Sequence, residues 1–121
     1  MEDVVKLFNS ILLRCNSANI RFENINPQIG CVMYIKQTKT DEWYKVGQWN
    51  NVNKLISNDY TDPWSFTVQC KAILDYVKEC KMTRLSECIL VLNDNDIKFL
   101  EIGYRSRTID EILIHADLLG V

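Results

Sequence analysis

The chain contains one histidine, His115, and five cysteines, the residue types that could support nucleophilic catalysis near neutral pH. A thiol beside an imidazole would suit a small cytosolic enzyme with a cysteine nucleophile. His115, however, flanks the apolar stripe of a predicted helix, and no cysteine begins a helix after a glycine-rich turn, where the pKa of a thiol is lowered. We therefore predict no catalytic residue, and an enzyme that uses Cys and His, or carboxylates alone, stays the alternative.

The cysteines are odd in number, form no C-x-x-C pair and mostly lie in apolar runs. They are Cys15, Cys31, Cys70, Cys80 and Cys88. This pattern is typical of reduced, buried thiols in a reducing compartment. The acidic start Met1-Glu2-Asp3 lacks the basic region of a secretory signal, and no apolar run approaches the ~20 residues of a membrane span. We expect a cytoplasmic protein that does not bind membranes.

Two acidic pairs could suggest a metal site, namely Asp94 with Asp96 and Asp59 with Asp62. Neither pair has the glycine and distal glutamate of a calcium-binding loop, and turn or helix-cap roles explain all four acids. We therefore predict no metal site. The glycines are scattered outside any phosphate-binding motif, so we also predict no cofactor. The net charge of −2 gives no reason to expect a nucleic-acid ligand, because such binding depends on clustered Lys and Arg.

Aromatic and acidic residues are concentrated around the middle of the chain. Trp and Tyr are enriched at the energetic centres of protein interfaces. We therefore predict a partner-binding surface formed by Trp49, Asp59, Tyr60, Asp62 and Trp64.

The last predicted helix has apolar residues outside its core stripe. Ile114 and Leu118 lie on the side opposite the predicted core face, and a helix that is apolar all round is doubly covered or joins another chain. We predict a second interface at these two residues, with a homodimer as one form of it.

These observations favour a non-enzymatic protein-binding domain. Its most concrete form is a bacterial immunity protein, which would neutralise a cognate toxin by direct binding. Acidic and aromatic side chains would complement a basic nuclease. A viral or phage inhibitor or adaptor, which shares this binding chemistry, is a further alternative.

Helical spacing of apolar residues predicts a first helix over about 2–17, followed by an irregular segment, Ile20–Gln28. Alternation predicts a strand at Gly30–Lys36 and a return strand at Trp43–Val46. Asp62-Pro63 is a typical helix start, and that helix should run to about Lys81.

The remaining residues predict a second hairpin and a last helix. Cys88–Leu92 and Ile97–Ile102 should pair across an Asn93–Asp96 turn, and a capping box at Thr108 should start a helix over Ile109–Leu119. The whole chain, 1–121, is thus predicted to be a single α+β domain. Its antiparallel or mixed sheet would be built from two hairpins, with three to four helices packed on it.

Overall fold

A computed structural model of the protein describes residues 4–26, 30–50, 55, 65–83 and 88–121. The elements follow in the order α1 (Val4–Arg14), β1 (Ile20–Asn26), β2 (Gly30–Lys36), β3 (Trp43–Trp49), α2 (Phe66–Thr83), α3 (Asp94–Arg105) and α4 (Ile109–Leu118). The three strands form one antiparallel sheet in the order β1-β2-β3. The predicted α+β class is therefore confirmed, and the sheet consists of two hairpins that share β2. None of the described helices is long and apolar enough to cross a membrane.

The central strand β2 shows why the sheet packs against helices on one face. Side chains alternate across a strand, and Cys31, Met33 and Ile35 all point into the main core. The first helix contributes the opposing layer through Phe8 and Ile11, both completely buried.

A cluster of phenylalanines joins the sheet to the helices. Phe8 of α1 lies 5.1 Å from Phe22 of β1 and 4.6 Å from Phe66 of α2, measured between ring centroids. Phe99 of α3 lies 5.8 Å from Phe66 and 6.1 Å from Phe22. These are all the phenylalanines of the chain, and each comes from a different element.

The segment predicted to be irregular, Ile20–Gln28, contains the first strand of the sheet. Ile20 and Phe22 face the core, whereas Arg21 between them is half-buried on the other face. Ile20 pairs with Ile35 of β2, so the strand is specified by a partner about fifteen positions away and only weakly by its own sequence.

The predicted second hairpin is wrong, because Ile97–Ile102 lies inside helix α3. The side chain of Asn93 accepts a hydrogen bond from the Asp96 N–H at 2.8 Å, and the Asp96 carboxylate accepts one from the Asn93 N–H at 2.8 Å. This reciprocal capping box starts a helix where we predicted a turn. Cys88–Leu92, the other predicted arm, forms only an isolated bridge, between Leu90 and Gln37 beyond the end of β2.

The helix boundaries follow local capping groups. Helix α2 begins at Phe66, and the Ser65 hydroxyl accepts a hydrogen bond from the Val68 N–H at 3.2 Å. The predicted start at Asp62-Pro63 lies outside the described residues. Helix α4 begins after Thr108, as predicted, with the Thr108 hydroxyl accepting from the Glu111 N–H. It ends before Gly120, whose φ of +76° is the left-handed conformation that glycine favours after a helix.

Candidate functional site

The environment of His115 places a serine, not a cysteine, beside its ring. Among the described residues its hydrogen-bond partner is Ser106, with the hydroxyl 2.9 Å from Nδ1. Ser106 is 2% exposed and its hydroxyl donates to the Ile102 carbonyl at 2.6 Å. A hydroxyl has one proton, so while Ser106 donates to Ile102 its oxygen can only accept from His115, which requires the tautomer with the proton on Nδ1. The contact joins the end of α3 to α4, and in that tautomer the imidazole does not act as a base toward the serine.

The cysteines are all free, and four of the five are buried. Burial raises the pKa of the Cys15 thiol and raises that of Cys70 well above its usual range. Thiols in this state are poor nucleophiles because little thiolate is present near neutral pH. Cys88, which is half-buried, is the more accessible exception.

Of the four acids considered as metal ligands, Asp96 has a structural role, Asp94 is exposed in the first turn of α3, and Asp59 and Asp62 lie outside the described residues. Asp96 is completely buried, and its carboxylate accepts from the Ser17 hydroxyl at 2.5 Å and the Asn19 amide at 2.8 Å, as well as from the Asn93 N–H. It thereby ties the turn after α1 to the start of α3. Within the described ranges, no group of three or more His, Cys, Asp or Glu side chains is arranged to hold a metal ion.

Trp49, one residue of the predicted partner-binding surface, is buried. This side chain is 5% exposed and belongs to the main core, with its ring against Gly47, where an added Cβ would lie 2.8 Å from the ring. Its aromatic ring is therefore a packing group and is unavailable to a partner. Asp59, Tyr60, Asp62 and Trp64 lie outside the described residues, so that part of the surface stays a prediction.

The outer face of the sheet carries an aromatic stack that the sequence pattern did not reveal. The Arg21 guanidinium lies 4.3 Å from the Trp43 ring centroid and 5.1 Å from that of Tyr34. Arg21 also forms an ion pair with Glu23 at 3.2 Å. The ion pair and the cation–π contacts hold the guanidinium over the two rings, while its buried Nε has no hydrogen-bond partner among the described residues.

The exposed side of helix α4 carries apolar residues, and it is the surface at which the sequence predicted a second interface. Its residues, which we call the α4 surface, are Asp110, Leu113, Ile114, Asp117 and Leu118. Leu118 is 77% exposed, Ile114 is 56% exposed and Leu113 is 38% exposed. Residues four apart are neighbours on a helix, so Ile114 and Leu118 form one continuous apolar strip.

The end of α1 borders this surface. Arg14 lies 3.4 Å from the Asp117 carboxylate and also donates to the carbonyl of Val121. The neighbouring Leu13 is 82% exposed. The two helix ends together therefore expose apolar side chains next to acidic ones, a combination that a solvated helix face does not require.

A shallow cavity of about 470 Å³ lies between α2 and α3. Its lining combines apolar residues with charges of both signs, and no ion pair joins these charges within the described part. The lining residues include Leu74, Val77, Ile97, Lys78, Lys81, Arg105, Asp75 and Glu101.

No protein family, curated protein or solved structure matched the chain. The evidence for a function is therefore the geometry of these surfaces.

Proposed function

We propose that this chain is a non-enzymatic protein-binding domain that contacts a partner through the α4 surface. The observation that carries the proposal is the exposed strip formed by Ile114 and Leu118. The opposite side of α4 is already packed, with Ile112 and Ala116 buried in the core. The strip is therefore not needed to hold the helix in place.

Burial of the apolar strip would contribute a binding energy of the size found at protein interfaces. Complete burial of a large aliphatic side chain contributes about 1.5–3 kcal/mol relative to exposure. Ile114 and Leu118, which are 56% and 77% exposed, together would supply about 2–4 kcal/mol on burial, since both are already partly covered by their own helix. This is the size of contribution expected from the centre of a specific interface.

The charges around the strip favour a different partner over a second copy of the chain. The acids of α4 are Asp110, Glu111 and Asp117, and Arg14 already contacts Asp117. Two copies of α4 packed antiparallel about Ile114 would place Glu111 of one copy opposite Asp117 of the other. A parallel arrangement would place each acid opposite itself, and like charges across an interface are unfavourable. The complementary partner has an apolar patch bordered by Lys or Arg.

The concrete form that we propose is an immunity protein that covers a basic region of a cognate toxin in the bacterial cytoplasm. An apolar strip bordered by acids supports this form, because nucleases bind nucleic acid through basic surfaces. A toxin gene beside the gene for this chain, and protection of cells that express both, would be its specific test.

The interface can be tested by affinity capture from the source cell with the wild-type chain and the double variant Ile114→Ser/Leu118→Ser. We expect the affinity for the captured partner to fall about 100-fold, which corresponds to about 3 kcal/mol. Met82→Ser is the matched control, because Met82 is 76% exposed on α2, away from the α4 surface. Full binding by the double variant, or an equal loss with Met82→Ser, would contradict the proposal.

The alternative of self-association has its own measurement. Sedimentation equilibrium of the wild-type chain should give a monomer at every concentration tested. A dimer that dissociates in Leu118→Ser would show that a second copy occupies the α4 surface, and the proposed basic partner would be wrong.

A further inference from the structure

We propose that the cavity between α2 and α3, which we call the α2–α3 groove, binds a free long-chain carboxylate whose head group lies between Lys78 and Lys81. The groove has a volume of about 470 Å³, within the roughly 300–1,000 Å³ of small-molecule sites. None of the residues of the α4 surface lines it. This ligand would therefore bind independently of the proposed protein partner.

Two helices that run in opposite directions form the walls of the groove. A Cβ added at Gly103 would lie 2.6 Å from both the Phe66 ring and the Cys70 sulfur, so the end of α3 lies beside the start of α2. The part of α2 that lines the groove extends from Leu74 to Met82, a length of about 12 Å at the rise of an α-helix. An extended alkyl chain can lie along this length.

The inner surface of the groove is apolar. Val77 is 8% exposed, and Leu74 and Ile97 are half-buried against the core. At the outer edge Met82 is 76% exposed and Tyr104 is 41% exposed. An alkyl chain in the groove would cover apolar surface that water now contacts, and each methylene that becomes fully buried raises the affinity about fourfold.

Two lysines supply positive charge beside this apolar surface. Lys78 and Lys81 are three residues apart and therefore neighbours on the same face of α2, and both line the groove. Both are exposed, and neither forms an ion pair with another described residue. Like charges that are neighbours on a helix repel each other, and a carboxylate between the two ammonium groups would relieve that repulsion.

The positions of the acids favour a ligand with a single anionic end. Asp75 and Glu101 also line the groove, and both lie on the side of Lys81 that leads toward the start of α2 and the end of α3. An acidic peptide laid along the groove would meet these carboxylates. A long-chain carboxylate places its charge near Lys81 and only its uncharged chain beside the acids.

The direct test is isothermal titration calorimetry of the full chain with dodecanoate, kept below the concentration at which it forms micelles. We expect saturable binding of one molecule per chain. The affinity for dodecanoate should exceed that for decanoate by about fourfold to fifteenfold, according to how much of the two added methylenes is covered. Absence of saturable binding would overturn the proposal.

The double variant Lys78→Gln/Lys81→Gln tests the head-group site. Its affinity for dodecanoate should fall about tenfold, the size expected from two exposed ion pairs, while its affinity for uncharged decanol stays the same. Lys6→Gln/Lys45→Gln is the matched control, because it changes the net charge equally at two exposed lysines outside the groove. An equal loss of dodecanoate affinity in both double variants would contradict the assigned site.

Other occupants and other sites give different results. Ile114→Ser/Leu118→Ser should bind dodecanoate as the wild-type chain does, and a loss there would place the ligand on the α4 surface instead. Binding to phosphatidylglycerol vesicles without binding to monomeric dodecanoate would mean that the groove contacts a membrane. A protein whose capture depends on Met82, in a chain that does not bind dodecanoate, would mean that a protein segment occupies the groove. Each of these three results would overturn the proposal.

Discussion

Replacing Asp96 by alanine should destabilise the protein far more than the loss of one negative charge would. The Asp96 carboxylate is completely buried and accepts three hydrogen bonds, from Ser17, Asn19 and the backbone of Asn93. Asp96→Ala would leave the two N–H donors unpaired, since the Ser17 hydroxyl can rotate toward another acceptor. Each orphaned donor costs about 1–3 kcal/mol, and the relief of burying a carboxylate offsets part of that cost.

The expected loss in free energy of unfolding is therefore about 3 kcal/mol for Asp96→Ala. Urea denaturation followed by tryptophan fluorescence should show the midpoint falling by about 1–2 M, since the urea dependence for a domain of this size is about 2 kcal/mol/M. The melting temperature should fall by roughly 10–15 °C.

Two further variants separate the hydrogen bonds from the charge. Asp94→Ala removes an exposed acid in the first turn of the same helix, and we expect a loss of only about 0.3–1 kcal/mol. Asp96→Asn should lose about 1 kcal/mol, because its amide oxygen can accept from both N–H donors while its NH₂ group donates to Ser17. Equal urea midpoints for Asp96→Ala and Asp94→Ala would refute the reasoning.

Two other predictions concern helix α3 and its end. Gly103→Ala places a Cβ 2.6 Å from the Cys70 sulfur and 2.6 Å from the Phe66 ring. The free energy of unfolding measured in urea should therefore fall by about 1–2 kcal/mol, even though alanine favours the helix. An unchanged or raised urea midpoint would mean that helix propensity outweighs the clash. Neutral His115 should carry its proton on Nδ1, because the Ser106 hydroxyl donates elsewhere, and the ¹⁵N shifts of the imidazole report this directly. A ring protonated on Nε2 would instead mean that the serine donates to the histidine.

The sequence was sufficient for elements whose residues specify them locally. Helices α1 and α4 each show an apolar period, and Thr108 gives a capping signal at the start of α4. Strand β2 alternates along its length and was predicted with its observed limits, Gly30–Lys36. In these segments the local preference and the tertiary contacts agree.

The prediction of a second hairpin failed because one sequence motif is compatible with two local structures. Asn93-Asp94-Asn95-Asp96 is typical of a turn, but Asn93 and Asp96 are also spaced as a capping box, and Phe99, Leu100 and Gly103 continue the buried face of a helix. The capping spacing was the signal that could have identified α3.

Only part of the candidate interface could be predicted from the sequence, because burial depends on contacts between distant segments. Exposure of Ile114 and Leu118 follows from their positions outside the core stripe. The burial of Trp49 depends on the space above Gly47, which no spacing rule supplies.

The phenylalanine cluster has a consequence for how the protein opens. Phe8, Phe22, Phe66 and Phe99 lie far apart along the chain, yet every one of the six ring pairs is in contact. Detaching any one of the four elements would hydrate rings on the other three, so partial detachment costs nearly as much as complete denaturation. Amide protons in the centres of α1 and α3 should therefore exchange with solvent through the same global event, as expected of an all-or-none transition.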